Sequence, residues 1–359
     1  MPRVLKYDRW ICATVLVLMF FGLVMVFSVT TSGETTSFRL IMRQSVAALL
    51  GLAAMRYLMF FDYRHLSSQK TVFIVLGVSI VLLVLVLFGP QVANTRRFLR
   101  VGGLFSVQPS EFAKLALILF LAFFLDKHSG RLNGWRTLGG AALILAVFGG
   151  LVLAGKDLGT TITLLLIAAV VLWVAGLQAS YLRKLGLATA LVAALGIWLQ
   201  PWRLDRILVF LNPEADPTGA GFQLVQSKIA VGTGGLFGQG LAEGKQKLLF
   251  LPEAHTDFIF AVICEELGLI AAFLVVLAFA ILLWRGVWVS FRAPDRFGCY
   301  LAAGITAMIV CQAMINVGVV LAMLPTKGMP LPFISYGGTA MIAALAASGV
   351  LLNISRHAE

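Results

Sequence analysis

The chain has 359 residues, of which 60% are hydrophobic and only 12% are charged. This composition excludes a soluble globular domain, in which apolar residues make up about half of the chain. The formal net charge is +12, from 28 Lys and Arg against 16 Asp and Glu, and membrane topology explains most of this excess better than nucleic-acid binding does.

Apolar stretches long enough to cross a bilayer as helices recur along the whole chain. Ten spans are predicted in chain order, at about 10–31, 44–60, 71–90, 111–126, 138–155, 158–177, 185–200, 257–284, 298–323 and 337–354. We therefore predict an all-α, polytopic integral membrane protein that forms a single domain over residues 1–359. An even number of spans places both termini on one side of the membrane.

The charges of the loops indicate the orientation. Lys and Arg favour the short loops on the side of the termini, and long loops are largely exempt from the positive-inside rule. Both termini are therefore expected in the cytoplasm, and the long loop at about 201–256 is expected outside.

The segment Leu251–Gly268 brings four carboxylates and a histidine to the start of the eighth predicted span. An ionised side chain in hydrocarbon normally faces a polar cavity, finds a partner or takes part in chemistry. For Asp257, capping of the helix N-terminus is the alternative to a chemical role. Helical geometry lets Glu265 share a cavity with Asp257 and turns Glu266 to the opposite side. Both glutamates are expected to be buried in paired form against a neighbouring span.

Basic residues on the expected outer side point to an anionic ligand. Arg96, Arg97 and Arg100 carry planar guanidinium groups that suit phosphate or carboxylate, and anionic lipid headgroups are the alternative ligand. Glu111 and Lys114 are three residues apart, so they can pair on one helix face. Such a pair either neutralises a buried helix or belongs to a site.

Two breaks between spans carry further polar residues. In the segment 155–161, Asp157 is expected to cap the sixth span. Three prolines in Leu324–Gly338 exclude regular helix, and irregular backbone at membrane depth is buried in protein or lines a cavity. Ser335 and Tyr336 are therefore candidate walls of a polar pocket. The sequence contains no nucleotide-binding glycine loop, so no nucleotide cofactor is expected.

Five segments together resemble the SEDS (shape, elongation, division and sporulation) family of bacterial membrane proteins, and the resemblance covers nearly the whole chain. They are TRRF with QPSEFAKL within 95–115, KDLGTT at 156–161, NPEADPTGAGFQLVQSKIAVGTGGLFGQG at 212–240, LPEAHTDFIFAVICEELG at 251–268 and LPFISYGG at 331–338. The compact chain is more similar to the elongation members, which are the first choice, whereas LPTKGMPLP is more similar to the division members. The chain departs from the family pattern in two motifs, because Phe98 replaces a usual Trp and Gly155-Lys156 replaces Gln-Pro.

The resemblance implies an inverting peptidoglycan glycosyltransferase at the outer face of the bacterial cytoplasmic membrane. It would polymerise lipid II, the undecaprenyl-pyrophosphate-linked disaccharide-peptide precursor, during cell elongation and shape maintenance. It would work among membrane lipids beside a class B penicillin-binding protein, a transpeptidase, and other elongation or division proteins. The alternatives are a flippase of the same precursor and a non-enzymatic scaffold for that transpeptidase. By motif, the catalytic aspartate of the family falls on Asp257.

The implied chemistry needs a base for a sugar hydroxyl and cations for a leaving pyrophosphate. Asp257 is the candidate base, or instead the ligand of a divalent cation such as Mg²⁺ or Mn²⁺. The candidate substrate-binding residues are Arg96, Arg97, Gln108, Ser110, Glu111, Lys114, Asp157, Gln226, Lys228, Lys245, Glu253, His255 and Ser335.

Overall fold

The computed structural model describes residues 6–30, 36–91, 95–101, 105–213, 221–249, 251 and 254–358, and these form an almost entirely helical protein. The helices are α1 (Arg9–Thr30), α2 (Thr36–Phe60), α3 (Gln69–Leu87), α4 (Pro109–Lys127), α5 (Trp135–Ala154), α6 (Leu158–Val174), α7 (Ala179–Trp198), α8 (Pro201–Leu211), α9 (Phe222–Thr233), α10 (Gln246–Leu249), α11 (Ile259–Arg292), α12 (Arg296–Val320) and α13 (Gly338–His357). Strands β1 (Leu99–Val101) and β2 (Phe105–Val107) pair antiparallel before α4.

Each of the ten predicted spans coincides with a long helix, which confirms the all-α fold class. Eight helices of the described residues are long and apolar enough to cross a membrane. The remaining two predicted spans are α6, which has 17 residues, and α4, which carries charges at both ends. The exact number of spans and the side of the termini stay predictions.

The core of the bundle is α12, most of whose residues are buried. It packs against α4, α6, α11 and α13, and α13 in turn packs along α2. Side-chain caps and prolines fix where several helices begin. Asp295 accepts a hydrogen bond from the N–H of Gly298 at 2.6 Å at the start of α12, and Pro109 stands at the first position of α4, where no backbone donor is needed.

The predicted long loop contains three short helices, α8, α9 and α10. They lie between α7 and α11 and bring polar segments back onto the bundle. Ser227 of α9 donates a hydrogen bond to the carbonyl of Val320 at 2.8 Å, which ties this helix to the end of α12. The residues 214–220 and 252–253, which include the predicted site residue Glu253, lie outside the described residues.

Helix α11 is interrupted at Gly268, where φ is +76°. The segment 234–240 enters this break, and the N–H of Leu269 donates to the carbonyl of Gly235 at 2.9 Å. A Cβ atom at position 268 would lie 2.4 Å from the backbone nitrogen of Gly238. Only glycine satisfies both the positive φ and the close approach of the second chain segment.

The two glutamates before this break are buried and paired. Glu265 accepts hydrogen bonds from the N–H groups of Lys245 and Gln246 at 2.8 and 3.1 Å. Glu266 forms an ion pair of 2.6 Å with Lys247 and accepts a hydrogen bond from Ser28 of α1 at 2.5 Å. The predicted burial is confirmed for both glutamates. Pairing against a neighbouring span is confirmed for Glu266, which binds Ser28 of α1, whereas the hydrogen bonds of Glu265 are made with the loop.

The segment between α12 and α13 is folded into the bundle. Its stretch Met329–Ser335 is largely buried. Gln44 of α2 donates to the carbonyl of Ser335 and accepts from the N–H of Gly337, both at 3.1 Å. A Cβ atom at Gly22 of α1 would lie 2.5 Å from the backbone of this segment, so α1 also approaches it closely.

Candidate active site

Asp257 lies in the turn 254–258 that leads into α11 and is half-buried. Phe258 occupies the N-cap position of α11 and makes no side-chain capping hydrogen bond. Asp257 therefore lies one residue before the position that a capping role requires. The backbone carbonyl of Asp257 accepts a hydrogen bond from the amide of Asn316 at 2.8 Å, which fixes this turn to α12.

The carboxylate of Asp257 and the guanidinium of Arg97 converge on Gly328. A Cβ atom at Gly328 would lie 2.8 Å from Asp257 Oδ2 and 3.4 Å from Arg97 Nη1. Arg97 Nη1 also donates to the Gly328 carbonyl at 3.4 Å, and its side chain stacks on Phe98. Its buried Nε atom has no hydrogen-bond partner among the described residues.

Arg206 of α8 provides a second guanidinium that the sequence did not indicate. Its Nη1 donates to the carbonyl of Thr326 at 3.4 Å, two residues before Gly328. Desolvation lowers the pKa of Arg206, while the carboxylate of Asp257 opposes this shift and the guanidinium of Arg97 adds to it. The structure thus brings two guanidinium groups and one carboxylate together, although these residues are far apart in the sequence.

Lys327 forms a neighbouring charged group with Asp157 at the start of α6. Asp157 caps α6 as predicted, because its Oδ1 accepts from the N–H of Thr160 at 2.9 Å. The stem of Lys327 lies against Gly159, where an added Cβ atom would be 2.3 Å from Lys327 Cε and 3.1 Å from Asp157 Oδ1. Burial lowers the pKa of Lys327 to about 8, and Asp157 opposes this shift.

Arg203 of α8 connects the last turn of α7 with the turn before α6, where Asp157 lies. Its two terminal nitrogens donate to the carbonyls of Gly196 and Lys156 at 2.5 and 2.7 Å. Arg203 and Arg206 are three residues apart on α8, and both stack on Trp202. Helix geometry places both residues on one face, but α8 was not among the predicted helices, so no sequence signal was available for this pair.

The predicted residues of α4 form a polar line that runs into the bundle. Glu111 and Lys114 form the predicted pair at 2.9 Å, and both are buried. Lys114 also donates to Gln312 of α12 at 2.6 Å. Gln108 donates to Ser110 at 3.1 Å.

A small hollow lies where Ser110 of α4 meets Arg97 and Asp157, one residue from each of the two charged groups. It is lined by Arg96, Arg97, Ser110 and Asp157, together with apolar residues of α3 and α5. Arg96 is exposed, and its Nη1 donates to the carbonyl of Leu87 at 2.7 Å.

The other predicted residues lie on the loop helices and on the last segment. Gln226 is half-buried on α9, whereas the side chains of Lys228 and Lys245 are exposed. The carbonyl of His255 accepts from the N–H of Tyr336 at 2.9 Å, and their rings are 5.6 Å apart. Ser335 is buried, and its Oγ accepts from the N–H of Leu331 at 2.7 Å, which makes it a support of the segment.

We expect Gly328→Ala to reduce turnover by about 10- to 100-fold, because displacement of a reacting group by about 1 Å has an effect of this size. The new methyl group would lie 2.8 Å from Asp257 Oδ2, so the carboxylate has to move. Gly186→Ala on α7 is the matched control, since an added Cβ atom there meets nothing within 4 Å. Equal initial rates for the two variants would contradict this geometry.

We expect a pH-dependent stability contribution from Lys327. Its pKa of about 8 lies below the ordinary value of 10.5. Between these values the unfolded chain binds more protons than the folded one, so the free energy of unfolding rises with pH, by about 3 kcal/mol in all. The melting temperature of the wild type should therefore rise relative to that of Lys327→Met between pH 8 and pH 10. A constant difference would show that Lys327 titrates normally.

The chain matches known proteins over nearly its whole length. Residues 8–359 match the FtsW/RodA/SpoVE family, described as cell cycle protein. The probable peptidoglycan glycosyltransferase FtsW of Geobacter sp. (strain M18) is 41% identical over 99% of this chain and 98% of the relative. Stage V sporulation protein E of Bacillus subtilis (strain 168) is 40% identical over 98% of both chains.

Solved structures agree with these relatives in fold. One, described under "Structural coordination of polymerization and crosslinking by a peptidoglycan synthase complex", has a TM-score of 0.80 and 31% identity over 98% of both chains. The rod shape determining protein RodA of Thermus thermophilus has a TM-score of 0.73 and 28% identity over 99% of this chain and 98% of that chain. The protein is therefore a multi-pass membrane protein that belongs to the FtsW/RodA/SpoVE (SEDS) family of glycosyltransferases.

Proposed function

We propose that this chain polymerises lipid II, the lipid-linked disaccharide-peptide precursor of peptidoglycan, at the site around Asp257. The observation that carries the proposal is the convergence of the Asp257 carboxylate and the Arg97 guanidinium on Gly328, with Arg206 bound to the carbonyl of Thr326 two residues before it. This arrangement offers a proton acceptor beside groups that stabilise a phosphate leaving group. The names of the relatives, which include peptidoglycan glycosyltransferases, support the same reaction.

The reaction needs one proton transfer and one displacement. Asp257 takes the proton of the acceptor sugar hydroxyl, and the hydroxyl oxygen forms a bond to the anomeric carbon of the donor sugar. The bond from that carbon to the pyrophosphate breaks on the opposite face, so the configuration is inverted. The electron pair leaves with the pyrophosphate, whose added negative charge Arg97 and Arg206 stabilise. An anionic donor also competes with Asp257 for these guanidinium groups and so frees the carboxylate for the hydroxyl.

A divalent cation is compatible with the donors at this site. The described residues contain no group of three or more His, Cys, Asp or Glu side chains arranged around a common point. Mg²⁺ commonly uses one or two carboxylates and completes its shell with substrate phosphates and water. Asp257 fits the carboxylate in such a shell, and a cation held there would supply charge for the pyrophosphate.

The setting of the reaction is proposed from the same family membership. We place the chain in the bacterial cytoplasmic membrane, with the site at the outer face, where the polyprenyl tail stays in hydrocarbon while the sugars react. A class B penicillin-binding protein is the proposed partner. The relatives include both FtsW and RodA proteins, so a role in elongation rather than division stays a prediction.

The test is incubation of the purified chain with lipid II, with and without Mg²⁺ or Mn²⁺, followed by separation of the glycan products on a gel. We expect a ladder of polymers longer than the disaccharide. Precursor that crosses a liposome membrane but never lengthens would instead support a flippase. An absence of polymer and of transport would support a scaffold.

A further inference from the structure

Asn316 is a buried amide on α12 that binds two segments of the candidate site at once. Its Nδ2 atom donates to the backbone carbonyl of Asp257 at 2.8 Å and to that of Met329 at 2.7 Å. Met329 directly follows Gly328, the residue on which the carboxylate and Arg97 converge. One amide group therefore sets the separation between the turn that carries Asp257 and the segment that faces it.

The same face of α12 also binds Pro330, the residue after Met329. Gln312, one helical turn before Asn316, donates to the carbonyl of Pro330 at 2.9 Å. Its own oxygen accepts from Lys114 of α4 at 2.6 Å, which orients the amide. The consecutive carbonyls of Met329 and Pro330 thus accept hydrogen bonds from two side-chain amides of α12. Of these two amides, that of Asn316 also binds the carbonyl of Asp257.

The oxygen of Asn316 indicates that its role goes beyond packing. Oδ1 is buried and has no hydrogen-bond partner among the described residues. A buried acceptor without a donor lowers the stability of the fold. An apolar residue of the same shape would remove this cost, but it would also lose the two hydrogen bonds that Asn316 donates. We therefore attribute the presence of an amide at this position to its two N–H donors, which bind the carbonyls of Asp257 and Met329.

We infer that Asn316 is a positioning residue for the reaction: its amide fixes Asp257 relative to the segment that binds Arg97. This inference rests on the proposed function, because it assumes that Asp257 carries the chemistry. The hydrogen bond of Asn316 goes to the backbone carbonyl of Asp257, so it acts through the placement of the carboxylate. Misplacement of a reacting group lowers turnover more than it lowers substrate binding.

The test compares Asn316→Leu, which keeps the branched shape and removes both donors, with Asn316→Ser, which keeps one donor. Thr306→Val is the control, since Thr306 is buried on the same helix and donates only to the carbonyl of Ala302 within it. We expect kcat to fall about 10- to 100-fold for Asn316→Leu and less for Asn316→Ser, while KM for lipid II changes less than about threefold. The folded fraction of each variant is measured in parallel by thermal melting, and rates are compared per folded molecule.

The inference is overturned if Asn316→Leu keeps the kcat of Thr306→Val, or if its rate per folded molecule is unchanged and only its melting temperature falls. Asp257→Asn is run beside these variants to separate the two proposals. If wild type makes polymer and Asp257→Asn does not, a wild-type kcat for Asn316→Leu rejects the positioning role alone. Polymer from Asp257→Asn rejects the proposed chemistry instead.

Discussion

Replacement of Asp257 by Asn is expected to lower glycan polymerisation by about 100- to 10,000-fold, the range that a positioned general base contributes. The amide has nearly the same shape, but it does not accept the hydroxyl proton and carries no charge to face Arg97 and Arg206. The measurement is the initial rate of polymer formation by the purified variant. The variant should also fail to support growth of a strain depleted of the native protein, at normal membrane levels.

Asp205→Asn is the matched control for this substitution, because Asp205 is an exposed aspartate on α8 beside Arg206. It removes the same charge from the same region, and we expect its rate to stay within about twofold of wild type, since exposed substitutions usually have small effects. Wild-type polymer formation by Asp257→Asn would remove Asp257 from the mechanism. Equal losses in both variants would indicate a general effect of charge.

Replacement of Lys247 by Ala is expected to destabilise the protein by about 3–5 kcal/mol, because it leaves a buried carboxylate without its cation. Lys247 Nζ lies 2.6 Å from Glu266 and 2.9 Å from the carbonyl of Ser28, and neither side chain of the ion pair is exposed. This interaction ties the loop before α11 to α1. The measurement is the melting temperature in detergent.

Lys245→Ala provides the control for this prediction, since Lys245 is two residues away and its side chain is exposed. We expect it to change stability by less than about 0.5 kcal/mol. Addition of Glu266→Gln to Lys247→Ala should restore part of the stability, because it removes the unpaired charge. A melting temperature equal to that of the Lys245→Ala variant would show that the buried pair contributes no net stability.

The helices that span the bundle could be predicted because each is a long apolar run, and hydrophobic length is a local property of the sequence. The break in α11 could not, because Gly268 in an apolar helix is compatible with a straight helix. It becomes a break only when the segment 234–240 enters and its backbone replaces the lost hydrogen bonds. The short helices α8 and α9 could not be predicted for a similar reason, since they depend on contacts with distant residues.

The candidate site was predictable where one motif contains both partners. Asp157 with Thr160 and Glu111 with Lys114 are three residues apart, and helix geometry alone brings each pair together. Asp257 was found by its motif and by the cost of its charge near a membrane. Its neighbours around Gly328 come from three separate parts of the chain, and only tertiary packing brings them together.

The limit of prediction from sequence is clearest at Asn316, because nothing in the sequence around a single Asn in a predicted span indicates which residues it contacts. The same holds for Lys327, which lies in the segment LPTKGMPLP but whose burial against Gly159 is a tertiary contact. The sequence therefore predicts the type of chemistry and its main carboxylate. The fold determines which cations face that carboxylate and which amides hold it.

The most direct measurement is a structure of this chain with a non-hydrolysable lipid-pyrophosphate sugar donor and an acceptor glycan bound. The account predicts that the pyrophosphate contacts Arg97 and Arg206 and that the acceptor hydroxyl lies within about 2.6–3.2 Å of the Asp257 carboxylate. A pyrophosphate bound away from both guanidinium groups, with the acceptor hydroxyl out of reach of Asp257, would contradict it.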